Sequence, residues 1–134
     1  VDEEKRKAFQ GLLDAMKARL PEVKDVRLSK RLKESAAVLV AEEGALGPQM
    51  ERLLRSMGRG DELPPAQRVL EINPDHPAVA ALRKVFKHDP NDARLEGYCR
   101  LLYDQAVIAE GAKVKDPVAF ARRINELLVK DAAT

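Results

Sequence analysis

The stretch "RVLEINPDHP", Arg68 to Pro77, joins a strand pattern to the start of a helix. Its first five residues, RVLEI, are typical of a short strand. Asparagine and aspartate cap helix starts well, and proline fits the first helical turn, where its missing N–H removes no hydrogen bond. The stretch therefore predicts a strand over 68–72, followed at once by a helix that reaches about His88.

Before this junction the sequence predicts a helix and two strands. Apolar residues recur at helical spacing from Phe9 to Leu20, and Pro21 ends the run. In "VRLSKRLK", residues 26–33, apolar and polar side chains alternate, which predicts a strand with one solvent-facing side. "AAVLVA", residues 36–41, is apolar at every position and predicts a second strand covered on both sides. Because the link between them is short, we expect these two strands to form a hairpin.

The segment "GALGPQMERLLRSMGRG", residues 44–60, predicts a short helix between glycines. Its apolar residues share one face: Met50, Leu53, Leu54 and Met57. This face either packs into the chain's own core or meets an outside partner. Methionine is flexible and polarizable, so such a face suits apolar partners of many shapes.

Two more helices are predicted after the helix that ends near His88. One runs from Pro90 to about Glu110 and ends at Gly111, and the last runs from Pro117 to about Lys130. Together the patterns predict an α+β fold, in which a small three-stranded sheet packs with about five helices. The length of 134 residues is consistent with a single domain over residues 1–134.

The last two helices carry apolar residues over a wide arc. Such helices are covered on more than one side. Joined by a short link, they are natural antiparallel neighbours, and two copies of this pair can close a four-helix bundle across a twofold axis. The alternative is that both stripes serve only the core of a single chain.

Composition narrows the possible functions. The net charge of +2, from 24 basic and 22 acidic residues, gives no argument for a nucleic-acid partner. No run approaches the roughly 20 apolar residues of a membrane span. Cys99 is the sole cysteine, which excludes an internal disulfide and fits a reducing cytoplasm.

The sequence shows no recognisable catalytic or metal-binding pattern. His76 lies within a helix start and His88 at a helix end, and no HExxH motif joins them. There is no phosphate-binding GxxxxGK[ST] or GxGxxG loop. We therefore expect this chain to be no enzyme, with no catalytic residue, no metal ligand and no cofactor of its own.

Several stretches together resemble one family, the ninety-kilodalton heat-shock chaperones. "VKDVRLSKRLKESAAVLVAEEG", "QMERLLRSMG", "RVLEINPDHPAVAAL", "LLYDQAVIAEG" and "DPVAFARRINELL" follow each other as in the C-terminal domain of that family. The resemblance covers nearly the whole chain and is nearest to the bacterial branch, called HtpG. "LEINPDHP" is the most specific of these stretches.

The resemblance implies that this chain is the homodimerisation domain of a longer ATP-dependent chaperone. ATP and Mg would be bound in an N-terminal domain outside this sequence. The last two helices of each chain would pair with their copies as a four-helix bundle. The implied dimer interface consists of Leu95, Tyr98, Leu102, Ile108, Phe120, Ile124, Leu127 and Leu128.

The resemblance also bears on the short helix, whose apolar face contacts client polypeptides in bacterial members. Here that face would be Met50, Leu53, Leu54 and Met57. The chain ends in "LVKDAAT" and lacks the acidic "MEEVD" tail of eukaryotic cytosolic members, which supports a bacterial or organellar origin. We expect a protein of the bacterial cytoplasm, without nucleic acid as a partner. The alternative is a stand-alone interaction or scaffold domain without a chaperone role.

Overall fold

A computed structural model describes residues 2–29, 34–41, 48–58 and 68–133 of the chain. Within these residues it contains three strands and five helices, which confirms the predicted α+β class. In chain order the elements are α1 (Asp2–Arg19), β1 (Asp25–Leu28), β2 (Ala37–Ala41), α2 (Pro48–Ser56), β3 (Arg68–Ile72), α3 (Pro77–His88), α4 (Arg94–Ala109) and α5 (Pro117–Ala133).

The three strands form one mixed sheet in the order β1-β3-β2. β1 lies parallel to β3, with Val26 opposite Leu70. β2 lies antiparallel to β3 on the other side, with Leu39 opposite the same Leu70. β3 is therefore the central strand, and all five of its residues are buried.

The predicted hairpin is wrong, because β1 and β2 lie at opposite edges of the sheet. A hairpin would have left β3 with only one neighbour, although every one of its side chains is shielded from water. Placing β3 between the other two strands satisfies its backbone groups on both sides. The parallel pairing of β1 with β3 is possible because a long connection separates them in the chain.

The strand faces differ in part from the predicted pattern. Arg27 faces solvent as predicted, but Ser29 is buried, and its backbone N–H donates to the carbonyl of Ile72. Residues 30–33, where the predicted alternation continued, lie outside the described residues. In β2, Leu39 is buried whereas Val38 is half-buried, so one side of the strand is covered completely and the other only in part.

The core lies where α1, the sheet, α3 and α4 meet. The apolar stripe predicted on α1 is buried along its whole length, and Met16 is completely shielded from water. β3 contributes Leu70 and Ile72 to this core, and α3 contributes Val79 and Leu82. Full burial of one such side chain contributes about 1.5–3 kcal/mol, so this cluster dominates the stability of the fold.

The two helices after β3 start at different kinds of sites. α3 begins at Pro77 as predicted, and the Nδ1 atom of His76 accepts the backbone N–H of Ala78 at 3.0 Å. α4 begins at Arg94 rather than at Pro90. The reason is that the Asp92 carboxylate accepts the backbone N–H of Arg94 at 2.9 Å, and this turn delays the helix.

Candidate interaction surfaces

The start of α5 is set by a side-chain cap, and it lies at the predicted Pro117. Asp116 Oδ1 accepts the backbone N–H of Ala119 at 3.0 Å, and Pro117 occupies the first helical turn. The helix continues to Ala133, a little beyond the predicted end near Lys130. None of its residues is buried, although the helix is rich in apolar side chains.

The exposed apolar side chains of α5 form one broad surface. Leu128 is 63% exposed, Ile124 44% and Leu127 38%, and Phe120 is half-buried. Val118 and Val129, which the sequence analysis did not assign to the interface, are also exposed. At 3.6 residues per turn, Val118 and Val129 share one side of the helix, about 80–100° around from Leu128, so the sequence already contained the signal for a wider apolar arc.

The predicted interface residues of α4 divide into two groups. Leu95 and Leu102 are 1% and 4% exposed and belong to the core of the chain itself. Tyr98 is half-buried and packs against that core, whereas Ile108 is exposed. Since a buried side chain cannot form an outer surface, we leave Leu95 and Leu102 out of the candidate surface. The remaining surface is called here the α5 surface. It consists of Ile108, Val118, Phe120, Ile124, Leu127, Leu128 and Val129, with Tyr98 at its edge.

α4 and α5 do not close on each other along their whole length. A cleft of about 420 Å³ lies between the first half of α4 and the second half of α5. Gly97, Tyr98 and Leu101 line it from α4, and Leu127 lines it from α5. Next to the α5 surface, this cleft offers room for an apolar side chain from a second helix.

A buried carboxylate lies in the same part of the fold. Asp104 on α4 is 4% exposed, and its charged neighbours are Arg100, Arg123, Glu22 and Asp116. Burial raises the pKa of Asp104, and the attraction of the two arginines offsets this only in part. Burial is the largest single influence on Glu22 and disfavours its charge, but its hydrogen bonds and the positive charges of Arg100 and Lys115 together outweigh burial and lower the pKa of Glu22. No pattern in the sequence indicates that Asp104 is buried.

The short helix α2 carries a second exposed apolar face, called here the α2 face. Three of its four predicted residues are about half exposed: Met50 47%, Leu53 52% and Met57 59%. Leu54 is half-buried. The flanking residues 42–47 and 59–67, with Gly44 and Gly47 among them, lie outside the described residues.

The single thiol and the described acidic side chains form no recognisable reactive site. Cys99 is buried, and this burial raises the pKa of its thiol to about 11, so the thiol is protonated at neutral pH. Among the described residues, no group of three or more His, Cys, Asp or Glu side chains is arranged to hold a metal ion. No helix within the residues that the structure describes has the length and apolar character needed to cross a membrane.

Comparison with known proteins defines the class to which this fold belongs. The sequence model of the Hsp90 protein family matches residues 1–134. The chain therefore belongs to the Hsp90 family, as the resemblance of its sequence stretches predicts.

Within that family the chain is similar to bacterial proteins named chaperone protein HtpG. It is 46% identical to the protein of Geobacter sulfurreducens over 130 residues and 45% identical to that of Geobacter metallireducens over 130 residues. It is 41% identical to the protein of Myxococcus xanthus over 132 residues. These alignments cover 96%, 96% and 98% of this chain but only 20% of each relative. The chain thus lies in the bacterial HtpG branch of a chaperone family and spans about a fifth of the length of these curated relatives.

Proposed function

We propose that this chain is the homodimerisation domain of an ATP-dependent molecular chaperone. The observation that carries the proposal is the α5 surface. A helix whose apolar side chains are all left unburied within its own chain has a large unmet hydrophobic free energy. A second copy of the same helix pair is the partner that family membership favours, with α4 and α5 of both chains forming a four-helix bundle.

The proposed role is mechanical. Two chains held together at this end keep the rest of each chain at a high effective concentration relative to its partner. ATP and Mg would act in another part of the relatives' length, so this domain would carry no catalytic residue. The bacterial relatives and the solitary cysteine, Cys99, support a place in the bacterial cytoplasm.

A second role, contact with client polypeptides, is favoured by the α2 face. A hydrophobic surface made of Met50, Leu53 and Met57 is energetically unfavourable in water unless a partner covers it for part of the time. Methionine and leucine adapt to many apolar shapes, which suits a partner that is an unfolded chain. The proposed contacts are weak and apolar.

Sedimentation equilibrium across a range of protein concentrations tests the dimer. We expect the native chain to sediment as a dimer, and Leu127→Glu with Leu128→Glu to give a folded monomer. The matched control is Leu53→Glu with Met57→Glu, which places the same two charges on the exposed α2 face and leaves the dimer intact. A native chain that stays monomeric at tens of micromolar would instead favour a stand-alone interaction or scaffold domain.

A separate experiment tests the client role. Met50→Ala with Met57→Ala should weaken binding of a permanently unfolded polypeptide, such as reduced and carboxymethylated α-lactalbumin, measured by fluorescence anisotropy. The dimer should keep its mass, and the melting temperature should not change, because both side chains are about half exposed. Unfolding of the double variant would show that these methionines belong to the core, and unchanged binding would remove the client role.

A further inference from the structure

The C-terminal end of α4 carries negative charge that its own last turn does not balance, although the N–H groups of Gly111 and Ala112 bond the carbonyls of Ile108 and Val107. A helix C-terminus carries a partial negative charge and carbonyls without intrahelical partners. The last turn of α4 contains no basic residue, and the helix ends at Glu110, which adds another negative charge. Cations from other elements are therefore expected to gather at this end.

Two arginines from different elements meet at Glu110. Arg68, the first residue of β3, donates from Nε to Glu110 Oε2 at 3.1 Å. Both side chains are largely buried, at 6% and 13% exposure, so this ion pair fixes Glu110 against the sheet. Arg52, from α2, donates from Nη1 to the backbone carbonyl of Glu110 at 3.3 Å.

The turn after α4 leaves room for the Arg52 guanidinium. Gly111 adopts a φ of 89°, which favours glycine. A Cβ atom at this position would lie 3.4 Å from Nη1 of Arg52, in van der Waals contact. The Arg52–Glu110 contact is also the only hydrogen bond that joins α2 to another element among the side chains that the structure describes.

Arg52 lies on the side of α2 away from its methionines. At 3.6 residues per turn, Met50 and Met57 lie about 160° and 140° around the helix from Arg52. A hydrogen bond that holds the Arg52 side against α4 therefore turns the methionine side outward. This agrees with the exposure of both methionines in the structure.

We infer that Arg52 is a positioning residue that docks α2 on the Glu110 carbonyl, at the turn between α4 and α5, and so presents the α2 face to clients. The inference deepens the proposed client role and rests on it. Its consequence is that the orientation of the α2 face depends on the same turn that leads into the α5 surface.

The test compares Arg52→Met with Arg52→Lys and with the control Arg55→Met. Methionine keeps much of the length of the arginine side chain but removes its donors, whereas lysine keeps a charged donor. Arg55 lies on the same exposed helix, and among the described residues its side chain makes no hydrogen bond or ion pair with α4. Spin labels at Ser56→Cys and Lys113→Cys report the distance between α2 and the turn by pulsed electron resonance. Anisotropy with carboxymethylated α-lactalbumin reports client binding in the same dimeric protein.

We expect Arg52→Met to broaden the distance distribution and to weaken probe binding about two- to fivefold, the range of an exposed hydrogen bond. Arg52→Lys should recover part of the native distance distribution and part of the native probe binding. Arg55→Met should change neither the distances nor the binding. The melting temperature should stay constant, which separates positioning from loss of fold. An unchanged distance distribution in Arg52→Met would overturn the inference.

The two proposals fail in different ways. If Met50→Ala with Met57→Ala leaves probe binding unchanged, the client role is wrong, while the label distances still test the docking of α2. If that double variant weakens binding but Arg52→Met changes neither distance nor binding, the client role stands and Arg52 does not position the helix.

Discussion

Alanine substitutions on α5 should weaken the dimer in the order of the exposure of each side chain. Full burial of a leucine side chain contributes about 1.5–3 kcal/mol. Leu128 is 63% exposed in the single chain, so about 1–2 kcal/mol remains to be gained when a partner covers it. A twofold axis brings the residue into the interface twice, which gives about 2–4 kcal/mol, or roughly 30- to 700-fold in Kd.

The neighbouring Leu127 should have a smaller effect. It is 38% exposed, and the same reasoning gives about 1.1–2.3 kcal/mol, or roughly 6- to 40-fold in Kd. Alanine keeps the Cβ atom, so both measured values should fall toward the lower ends of these ranges. Sedimentation equilibrium at several concentrations measures each Kd directly.

Leu102→Ala is the contrasting substitution. Leu102 was predicted in the interface but is 4% exposed within its own chain. We expect this variant to lower the free energy of unfolding by about 2–5 kcal/mol, as large-to-small substitutions in cores do. Urea unfolding of the monomeric Leu127→Glu, Leu128→Glu background measures this loss without a contribution from association.

The reasoning would be refuted by either of two results. One is a Kd for Leu128→Ala equal to that of the native chain, because a residue this exposed at the centre of the surface has to be covered by the partner. The other is a loss of stability in the monomeric background that is larger for Leu128→Ala than for Leu102→Ala. That result would place α5 in the core rather than on a surface.

Three further predictions concern the fold around the two surfaces. Burial raises the pKa of Asp104 above its ordinary value of 3.8, so the folded state disfavours its charge. This penalty is present above the raised pKa and disappears as the pH falls to the ordinary value. Asp104→Asn should therefore stabilise the chain at neutral pH relative to the native protein and lose this advantage in acid, as urea unfolding at a series of pH values measures. Gly111→Ala should cost about 1–2 kcal/mol, because φ is 89°, and a higher melting temperature would contradict this. His76→Ala should cost about 0.5–2 kcal/mol through loss of its cap on Ala78, and His76→Asn should restore most of it in thermal unfolding.

The helices could be predicted because their signals are local. The stripe from Phe9 to Leu20 has helical spacing and is buried as a unit. Pro77 and Pro117 each open a helix, and in both cases a side chain just before the proline provides the cap. Such signals act within one turn of the chain, so no knowledge of distant contacts is needed.

The order of the strands could not be predicted, because it depends on distant contacts. "RVLEI" contains Arg68 and Glu71, which lie on opposite faces of a strand and suggest that neither face is fully buried. Both side chains are buried instead, with Arg68 paired to Glu110 and Glu71 accepting from Arg27 Nε at 2.9 Å. The partners lie far along the chain, so the local pattern concealed a fully buried central strand.

The sequence also could not predict which residues of α4 lie in the core and which lie on the surface. Leu95 and Leu102 share a stripe with Tyr98, and helical spacing does not say which of several apolar sides meets the core. The structure decides this because α4 packs on the sheet through that stripe, which leaves Ile108 on another side. The candidate surface on α5 could be predicted without knowledge of the fold, because the wide apolar arc of this helix is visible in the sequence alone.

α4 links all the proposed functions, because each of its parts has a different neighbour. Its buried stripe completes the core, and this core does not require α5, which buries none of its own side chains. Folding of the single chain and association of two chains are therefore separate equilibria, and only the second depends on concentration. The C-terminal end of α4 receives Arg52 from α2 just before the chain turns into α5. The docking point of α2 and the start of α5 are therefore separated by a single turn, residues 110–116, while the core lies on the other parts of α4.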